Sequence, residues 1–545
     1  MVSEEEQVTN EAIADRLASM SRLLVIAGDD RHRSGAYERA ARQVERLALP
    51  VAGLGEEELI RIPGIGERIA GEIREIAQTG SFQELDDLRA VVPESLIALL
   101  EISGVGPRTL HLLWKRLGIL TLDDLERAVK SRRVRKLPGF GAKKEEMIAR
   151  GIRQSRDRPD RMTRPQAGAL VARVAALFLD GEHAVAGSYR RGAPTIGRVA
   201  IVTTAAPDGL ADRIAAVAGG APLSVRFTEP ARYGTALLCA TGSAGFLERL
   251  GEAALARGYR LSPDGLVDAD GRLHTFASEE EVFAFLGMEA VPPELREDRG
   301  EVELALRHAL PDLIDLCDVR GDLHSHTVWS DGRQSLEDVA EAGDERGYEY
   351  IAITDHSSKV SPEALAKQRA AIEQINRGHD CELLCGSEVD IRSDGSLGYE
   401  NRVLADLDLV IASVHSGFAQ DQDVLTRRIL TAMENEHVDI IGHPTGRLLD
   451  RRPPYAVDLE RVMAHAAETE TALEINSSPH RLDLEDIYIQ QAKKRGVKLA
   501  AGTDAHRTGE FANMRNGIML ARRGWCAPDE ILNALSLSGL LEWRS

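Results

Sequence analysis

The stretch Gly321-Asp-Leu-His-Ser-His-Thr-Val-Trp-Ser-Asp-Gly332 decides how the C-terminal half of this chain is read. His324 and His326 flank one residue, and side chains two apart in an extended strand point to the same face. Both imidazoles therefore look into one site, and Asp331 follows on the loop that leaves the strand. An isolated His-x-His pair arises by chance, so the weight lies on what surrounds it. Apolar runs recur downstream, each ending in a residue of ligand type. Tyr350-Ile-Ala-Ile-Thr-Asp355 ends at His356, and Leu383-Leu-Cys-Gly-Ser387 at Glu388. Leu409-Val-Ile-Ala-Ser-Val414 ends at His415, Val438-Asp-Ile-Ile-Gly442 at His443, and Leu499-Ala-Ala-Gly-Thr503 at Asp504, with His506 just beyond. Short apolar runs separated by helical segments read as βα units around a buried parallel sheet. In barrels of such units the active site lies at the C-terminal ends of the strands, so six histidines and three carboxylates are expected on one rim.

This pattern resembles the PHP (polymerase and histidinol phosphatase) domain over residues 319–545. The resemblance implies a distorted (β/α)7 barrel with up to three divalent metals. Its metal-ligand and catalytic positions fall here on His324, His326, Asp331, His356, Glu388, His415, His443, Asp504 and His506. Mixed imidazole and carboxylate ligands suit Mn²⁺, the expected cofactor, with Zn²⁺ or Fe²⁺ as alternatives. Such metals generate hydroxide from water and stabilise the leaving oxygen of a phosphoester, which makes phosphoester hydrolysis the implied reaction. Glu474 and Asn476 share a strand face and fit as supports for the ligands. Arg481 and, more weakly, Lys359 are candidates for holding a substrate phosphate.

A chain of 545 residues exceeds one ordinary core and suggests about three or four domains. No apolar run approaches the ~18 residues of a membrane span, and Met-Val-Ser-Glu-Glu-Glu lacks the features of a signal peptide. A cytoplasmic, nucleoid-associated protein with no membrane partner is expected. Cys239, Cys317, Cys381, Cys385 and Cys526 form no CxxC pair, which fits a reducing compartment; Cys381 and Cys385 read as packing residues. The net charge of −20 disfavours tight non-specific binding to nucleic acid, although a local basic face can coexist with it.

At the N-terminus, residues 10–48 read as helical, interrupted by the polar break Gly28-Asp-Asp-Arg-His-Arg-Ser-Gly35. Ile62-Pro-Gly-Ile-Gly-Glu-Arg68 follows, and its design returns at Ile102-Ser-Gly-Val-Gly-Pro-Arg108 and Leu137-Pro-Gly-Phe-Gly-Ala-Lys143. These copies resemble helix-hairpin-helix elements. In each, two glycines (Gly64 and Gly66, Gly104 and Gly106, Gly139 and Gly141) let the turn approach closely, and the next helix's free N–H groups can hold a DNA phosphate. Arg68, Arg108 and Lys143 stand within two residues of the second glycine, and Lys130-Ser-Arg-Arg-Val-Arg-Lys136 is the densest basic run.

Gly187-Ser-Tyr-Arg-Arg-Gly192, lying between those repeats and the PHP-like half, makes the whole chain resemble the bacterial family X DNA polymerases with a C-terminal PHP domain. The expected organisation is then an N-terminal lyase-like helical domain (1–90), a fingers-like helical domain (91–157) and an α+β nucleotidyltransferase-like palm (158–245). A thumb (246–300), which includes Gly258–Gly265, a helical linker (301–318) and the PHP barrel (319–545) complete it. The palm departs from the family. Where the family has Gly-Asp-x-Asp, this chain reads Gly197-Arg-Val-Ala200, so Arg198 and Ala200 occupy the metal-aspartate positions. Ser224 takes the third, and Cys239-Ala-Thr-Gly-Ser243 lacks the family's aromatics. At an effective dielectric of about 20, a cation roughly 4 Å from a divalent ion meets repulsion of about 4 kcal/mol or more in place of attraction. Polymerisation is therefore expected to be absent, with Ser188, Arg190 and Arg191 left as weak contacts for a phosphate or DNA end.

The expectation is a monomeric DNA-processing phosphodiesterase, acting as a 3′→5′ exonuclease with abasic-site endonuclease or 3′-end trimming as variants. Gapped, nicked, 3′-ended or single-stranded DNA is its partner. The rivals are a small-molecule phosphatase of histidinol-phosphatase type, a non-catalytic DNA-end scaffold, and a working polymerase with carboxylates such as Asp208 or Asp212.

Overall fold

Apolar spacing of three and four residues builds the N-terminal helices, and short continuous apolar runs, buried on both faces, build the C-terminal strands. The computed structural model describes residues 10–544 apart from 29–30, 48–50, 94–95, 97–98, 100–101, 103, 158–160, 180, 207–208 and 450. It divides into two units, 1–159 and 160–545. Asp208 lies outside the described residues, as do Asp29 and Asp30 of the polar break and Ser103 of the second glycine turn.

In the first unit, helix Asn10–Ala27 buries Ile13, Leu17, Met20 and Leu24 against Tyr37, Ala40 and Val44 of helix Arg31–Arg46. The break expected over 28–35 is shorter than its polarity suggested, because the helix resumes at Arg31. Small residues explain it: Ser34 is buried, and its carbonyl accepts the Ser21 hydroxyl at 2.8 Å. Gly64, Gly104 and Gly139 have φ of 89°, 88° and 77°, a left-handed conformation that favours glycine. Gly66 and Gly106 cap the helices Glu67–Thr79 and Pro107–Leu117, and Gly141 precedes Ala142–Asp157.

The second unit begins with a small sheet of β1 (His183–Ala186), β2 (Val199–Thr203) and β3 (Leu223–Phe227), in spatial order β1-β2-β3. Ala200 stands opposite both Ala186 and Ser224. A three-stranded meander follows, β4 (Arg260–Ser262), β5 (Gly265–Val267) and β6 (Leu273–His274), packed with helices around Phe246, Leu250, Phe276 and Phe283. The expected helical linker is α-helical only over Glu301–Ala305, with a single 3-10 turn at Leu316–Asp318. Pro311 removes a backbone donor, and Leu310 and Leu313 pack on the thumb core instead of continuing a helix.

The barrel strands are β7 (Gly321–Ser325), β8 (Tyr350–Ile353), β9 (Glu382–Asp390), β10 (Leu409–Ser413), β11 (Ile440–Ile441), β12 (Ala472–Asn476) and β13 (Leu499–Gly502). All are parallel and each pairs with its neighbour in sequence. The first and last meet where Asp504 N donates to His324 O (2.9 Å) and His326 N to Ala505 O (2.8 Å). Leu323, Tyr350, Leu384, Leu409 and Ala472 form an inner layer, joined by Leu532, Leu540 and Trp543 from the C-terminal segment. The ligand-type residues sit one or two inward positions further along.

Palm, thumb and barrel interlock through charge within this unit. Arg523, on helix Met514–Arg523, donates to Arg191 O (2.6 Å) and bridges Glu297 (2.8 Å) and Asp486 (2.7 Å). Trp525 joins the thumb core, and a Cβ at Gly192 would overlap Met519 of that helix. Glu297 and Asp486 also hold Arg191 and Arg299, both at 2.9 Å, and breaking a buried charge network by removing one member costs at most about 3–5 kcal/mol. Arg523→Ala is therefore expected to destabilise the C-terminal unit by about 3 kcal/mol in urea unfolding, whereas a loss under 1 kcal/mol would contradict this role for the network.

Candidate metal centre

Glu388, at the C-terminal end of β9, is the hub of the rim. Its Oε2 lies 2.8 Å from His356 Nδ1 and 3.6 Å from the Nε2 atoms of both His324 and His326. Its Oε1 lies 2.9 Å from His443 Nε2 and 3.1 Å from His415 Nε2. Asp504 Oδ1 approaches His326 Nε2 at 3.2 Å, and Asp331 Oδ1 approaches His356 at 3.4 Å and His506 at 3.6 Å. Three groups within this rim have donor atoms no more than 4.8 Å apart: His326, Asp331, His356 and His506; His324, His326 and Asp504; and His356, Glu388 and His415. His443 belongs to none of them but touches Glu388 directly. All nine residues singled out in the sequence thus converge.

A register shift in β7 makes the first pair possible. Asp322 pairs with Ile351 and Ser325 with Ile353, so β7 holds one extra residue. Leu323 then faces the inner layer while His324 also turns inward, which is what a bulge beside a site does. Strict alternation from the sequence does not reveal this.

The imidazoles are oriented from behind. His324 Nδ1 donates to Glu474 Oε1 (2.6 Å), whose Oε2 accepts His443 N (2.5 Å), and Asn476 Nδ2 donates to Asp504 Oδ2 (3.2 Å). Both expected supports stand at the rim. Gly502 is required here, since a Cβ would overlap Glu474 and His324. Other supports went unread in the sequence. Asp390 binds His415 Nδ1 at 2.7 Å, and its only local signal is its position two residues after Glu388 on the same strand face. Asp355 accepts from Thr327 N (2.8 Å) and Gln368 Nε2 (2.6 Å), fixing the loop that carries Asp331. His443 and Asp504 have φ of 28° and 56°, so backbone strain is concentrated at two rim residues.

Burial opposes charge on His356, but Asp331 and Glu388 outweigh it and lift its pKa to about 10. His415 is lifted to about 9 by Glu388 and Asp390 against the same opposition. Burial, with three neighbouring imidazoles, pushes His326 down to about 3. Burial would raise Glu388, yet His415 and His324 hold it well below the usual carboxylate range. His324 Nε2 and His326 Nε2 face each other at 3.2 Å, and His326 Nδ1 and His443 Nδ1 are buried without partners. A set of inward-facing nitrogens and ionised oxygens fits divalent cations of the N/O-binding class.

Arg481 donates from Nε to Asp504 Oδ2 (3.1 Å), and its Nη1 is buried with no hydrogen-bond partner; Lys359 Nζ lies 2.5 Å from Asp331 Oδ2. In the palm, Ala200 pairs with Ser224, and Arg198 lies just before the strand that carries Ala200. Arg190 binds Glu279 (2.6 Å) and Arg191 binds Glu297 (2.9 Å), so both guanidinium groups already face a carboxylate. The thumb supplies both carboxylates, from far along the chain. Asp212 sits in the first turn of helix Leu210–Ala218. In the N-terminal unit, Arg68 is paired with Glu72 and Glu84, whereas Arg108 and Lys143 are exposed. Part of the basic run is also committed, Lys130 to Glu126 and Arg135 to Glu145, both at 2.5 Å.

Residues 322–478 match the PHP domain, 236–297 the DNA polymerase beta thumb, 8–82 a helix-hairpin-helix domain and 96–154 a SAM-like helix-hairpin-helix tandem. The chain is 33% identical to a DNA polymerase/3′-5′ exonuclease PolX of Bacillus subtilis, covering 96% of each. A probable phosphatase of Thermoanaerobacter sp. is 31% identical over 39% of this chain and 89% of its own length. One of Syntrophotalea carbinolica is 29% identical over 39% of this chain and 90% of its own.

Two outcomes are expected of this centre. Glu474→Gln should weaken metal affinity by about 10–100-fold, measured by competition with a chelating dye, because the partner behind a ligand histidine sets its orientation. Cations compete with protons for His356 and His415, whose pKa values near 10 and 9 keep them protonated at neutral pH. Metal loading at pH 7.5 should therefore release protons and weaken as pH falls; calorimetry in buffers of different ionisation enthalpy that detects no release would contradict the assignment.

Proposed function

We propose, for a chain that belongs to the PolX family of bacterial DNA polymerase/3′-5′ exonucleases, that it hydrolyses DNA from the 3′ end in repair and no longer polymerises. The convergence of nine ligand-type side chains on one buried rim carries this reading. Its metals are two or three divalent cations, Mn²⁺ first and Zn²⁺ or Fe²⁺ as alternatives, held by His324, His326, Asp331, His356, Glu388, His415, His443, Asp504 and His506. Bound there, they supply Lewis-acid activation of water and neutralise charge developing on the phosphoester.

The chain's own residues do the rest. Glu474 holds the proton of His324 on Nδ1, so Nε2 presents its lone pair to the centre, and Asp390 does the same for His415. Arg481, with Nη1 unpartnered beside Asp504, binds a non-bridging oxygen of the scissile phosphate; Lys359, tied to Asp331, plays the lesser part. The glycine turns at Gly64 and Gly66, Gly104 and Gly106, and Gly139 and Gly141 hold DNA backbone. Arg108 and Lys143 are better placed for it than Arg68, whose charge is already matched by Glu72 and Glu84. Gapped, nicked or 3′-ended duplexes and single-stranded ends are the substrates, with abasic-site cleavage or 3′-end trimming as further activities. The protein works as a monomer in the cytoplasm, at the nucleoid.

Loss of polymerisation rests on Ala200 and Ser224, paired in the palm sheet, and Arg198, just before the strand, at positions where nucleotidyl transfer needs carboxylates around metal ions. Arg190 and Arg191 are held by thumb carboxylates, which removes two cations from any triphosphate. The phosphatase relatives favour a second reading, hydrolysis of a small phosphate monoester at the same rim. His324→Ala separates these readings from a scaffold role. Hydrolysis of 5′-labelled DNA is expected to fall to background while fluorescence anisotropy reports wild-type DNA affinity; unchanged turnover would sink the metal assignment.

A further inference from the structure

The rim does not open onto a single chamber. A cavity of about 470 Å³ starts at His356, His415 and Lys359 and is walled by Ser357, Arg392 and Gly398. Those last three residues also wall a second cavity, of about 650 Å³, which runs on to Ser361, Ser396, Asn401 and Thr431. Together they form a trough that leaves the metal rim between the loop after β8 and the loop after β9.

Its walls are fixed. The Tyr399 hydroxyl donates to Val360 O (2.6 Å), Asp390 N to Ser357 Oγ (3.0 Å) and Asn435 Nδ2 to Asn401 Oδ1 (2.8 Å). Arg428, almost fully buried, ties Ile391 O (3.0 Å) to Ser416 O (2.8 Å). The lining mixes hydroxyl and amide groups with apolar side chains such as Val360 and Leu397, the carboxylates Asp390 and Glu400, and the cations Lys359, Arg392 and Arg402. Arg392 makes one guanidinium hydrogen bond, to Gly398 O at 3.1 Å, and its charge acts on the Asp394 carboxylate, with no ion pair within 4.0 Å among the described residues, whereas Lys359 and Arg402 are paired with Asp331 and Glu400.

We propose that this trough is a subsite for single-stranded DNA, holding the nucleotides on the 5′ side of the scissile phosphate, with Arg392 on the next upstream phosphate. The inference rests on the phosphodiesterase reading of the same rim and names the shape of its substrate. A pocket of roughly 300–1,000 Å³ already accommodates one small ligand, so the first chamber suffices for a terminal nucleotide or a small monoester. The second adds room that only a continuing chain uses. Its hydroxyl and amide groups suit sugar and phosphate, and Tyr399, whose hydroxyl is tied to Val360 O, stands in its wall.

The test compares kcat/KM of the full-length protein with Mn²⁺ on thymidine 5′-(p-nitrophenyl phosphate) and on a 5′-labelled oligothymidylate. Arg392→Ala is expected to lower the oligonucleotide-to-ester ratio about tenfold, the loss of one charge-assisted contact. Arg392→Lys, which keeps the charge, should stay within about threefold of wild type. The dependence of log affinity for the oligonucleotide on log salt should shrink by about 0.7, as for one phosphate contact on a single strand. An unchanged ratio, through loss on both substrates or on neither, overturns the trough while leaving the hydrolase reading intact. Wild-type cleavage of the ester but not the oligonucleotide overturns that reading and the trough with it.

Discussion

One carboxylate sets the terms for the C-terminal unit. Glu388 is buried with five imidazoles within 3.6 Å, which come from the ends of four strands or the loops just beyond them, His324 and His326 sharing β7. An anion taken out of water is tolerated only when positive charge and hydrogen bonds replace the solvent. At an effective dielectric of about 20, each cation some 4 Å away contributes about 4 kcal/mol of attraction. The barrel has to keep its strand ends in register to supply that charge. The bulge in β7, the glycine at 502 and the left-handed backbone at His443 and Asp504 are local consequences. Protons on the imidazoles and divalent metals are alternative ways of meeting the same demand, which is why the cluster's chemistry and its stability are linked.

The rim was legible in the sequence because each ligand terminates an apolar run, and period two carries side-chain direction without knowledge of the tertiary fold. Glu474 and Asn476 were legible for the same reason. Asp390 was not assigned, although it follows Glu388 on the same face, because an acidic residue at a strand end has no distinctive pattern of its own. The partners of Arg190 and Arg191 lie 89 and 106 residues away, and local composition holds no trace of such pairings. Arg68 shows the same blindness at shorter range, since Glu72 and Glu84 convert an apparent phosphate contact into an internal pair. The linker was misread because spaced leucines suit a helix and a thumb-packing strap equally, and Pro311 decides between them.

Arg191, Glu297, Arg523 and Asp486 join palm, thumb and barrel into a single unit. With Gly192 against Met519, the Gly187–Gly192 element packs against the barrel's own helix. The palm and thumb are thus tied structurally to the barrel that carries the rim.

The most direct measurement uses a 5′-labelled primer on a one-nucleotide gapped duplex with Mn²⁺, with and without all four deoxynucleoside triphosphates. The account predicts shortened products in both reactions and no extension in either. Primer extension would show that the palm still assembles a metal site, and an unchanged primer would show that the rim does not hydrolyse DNA.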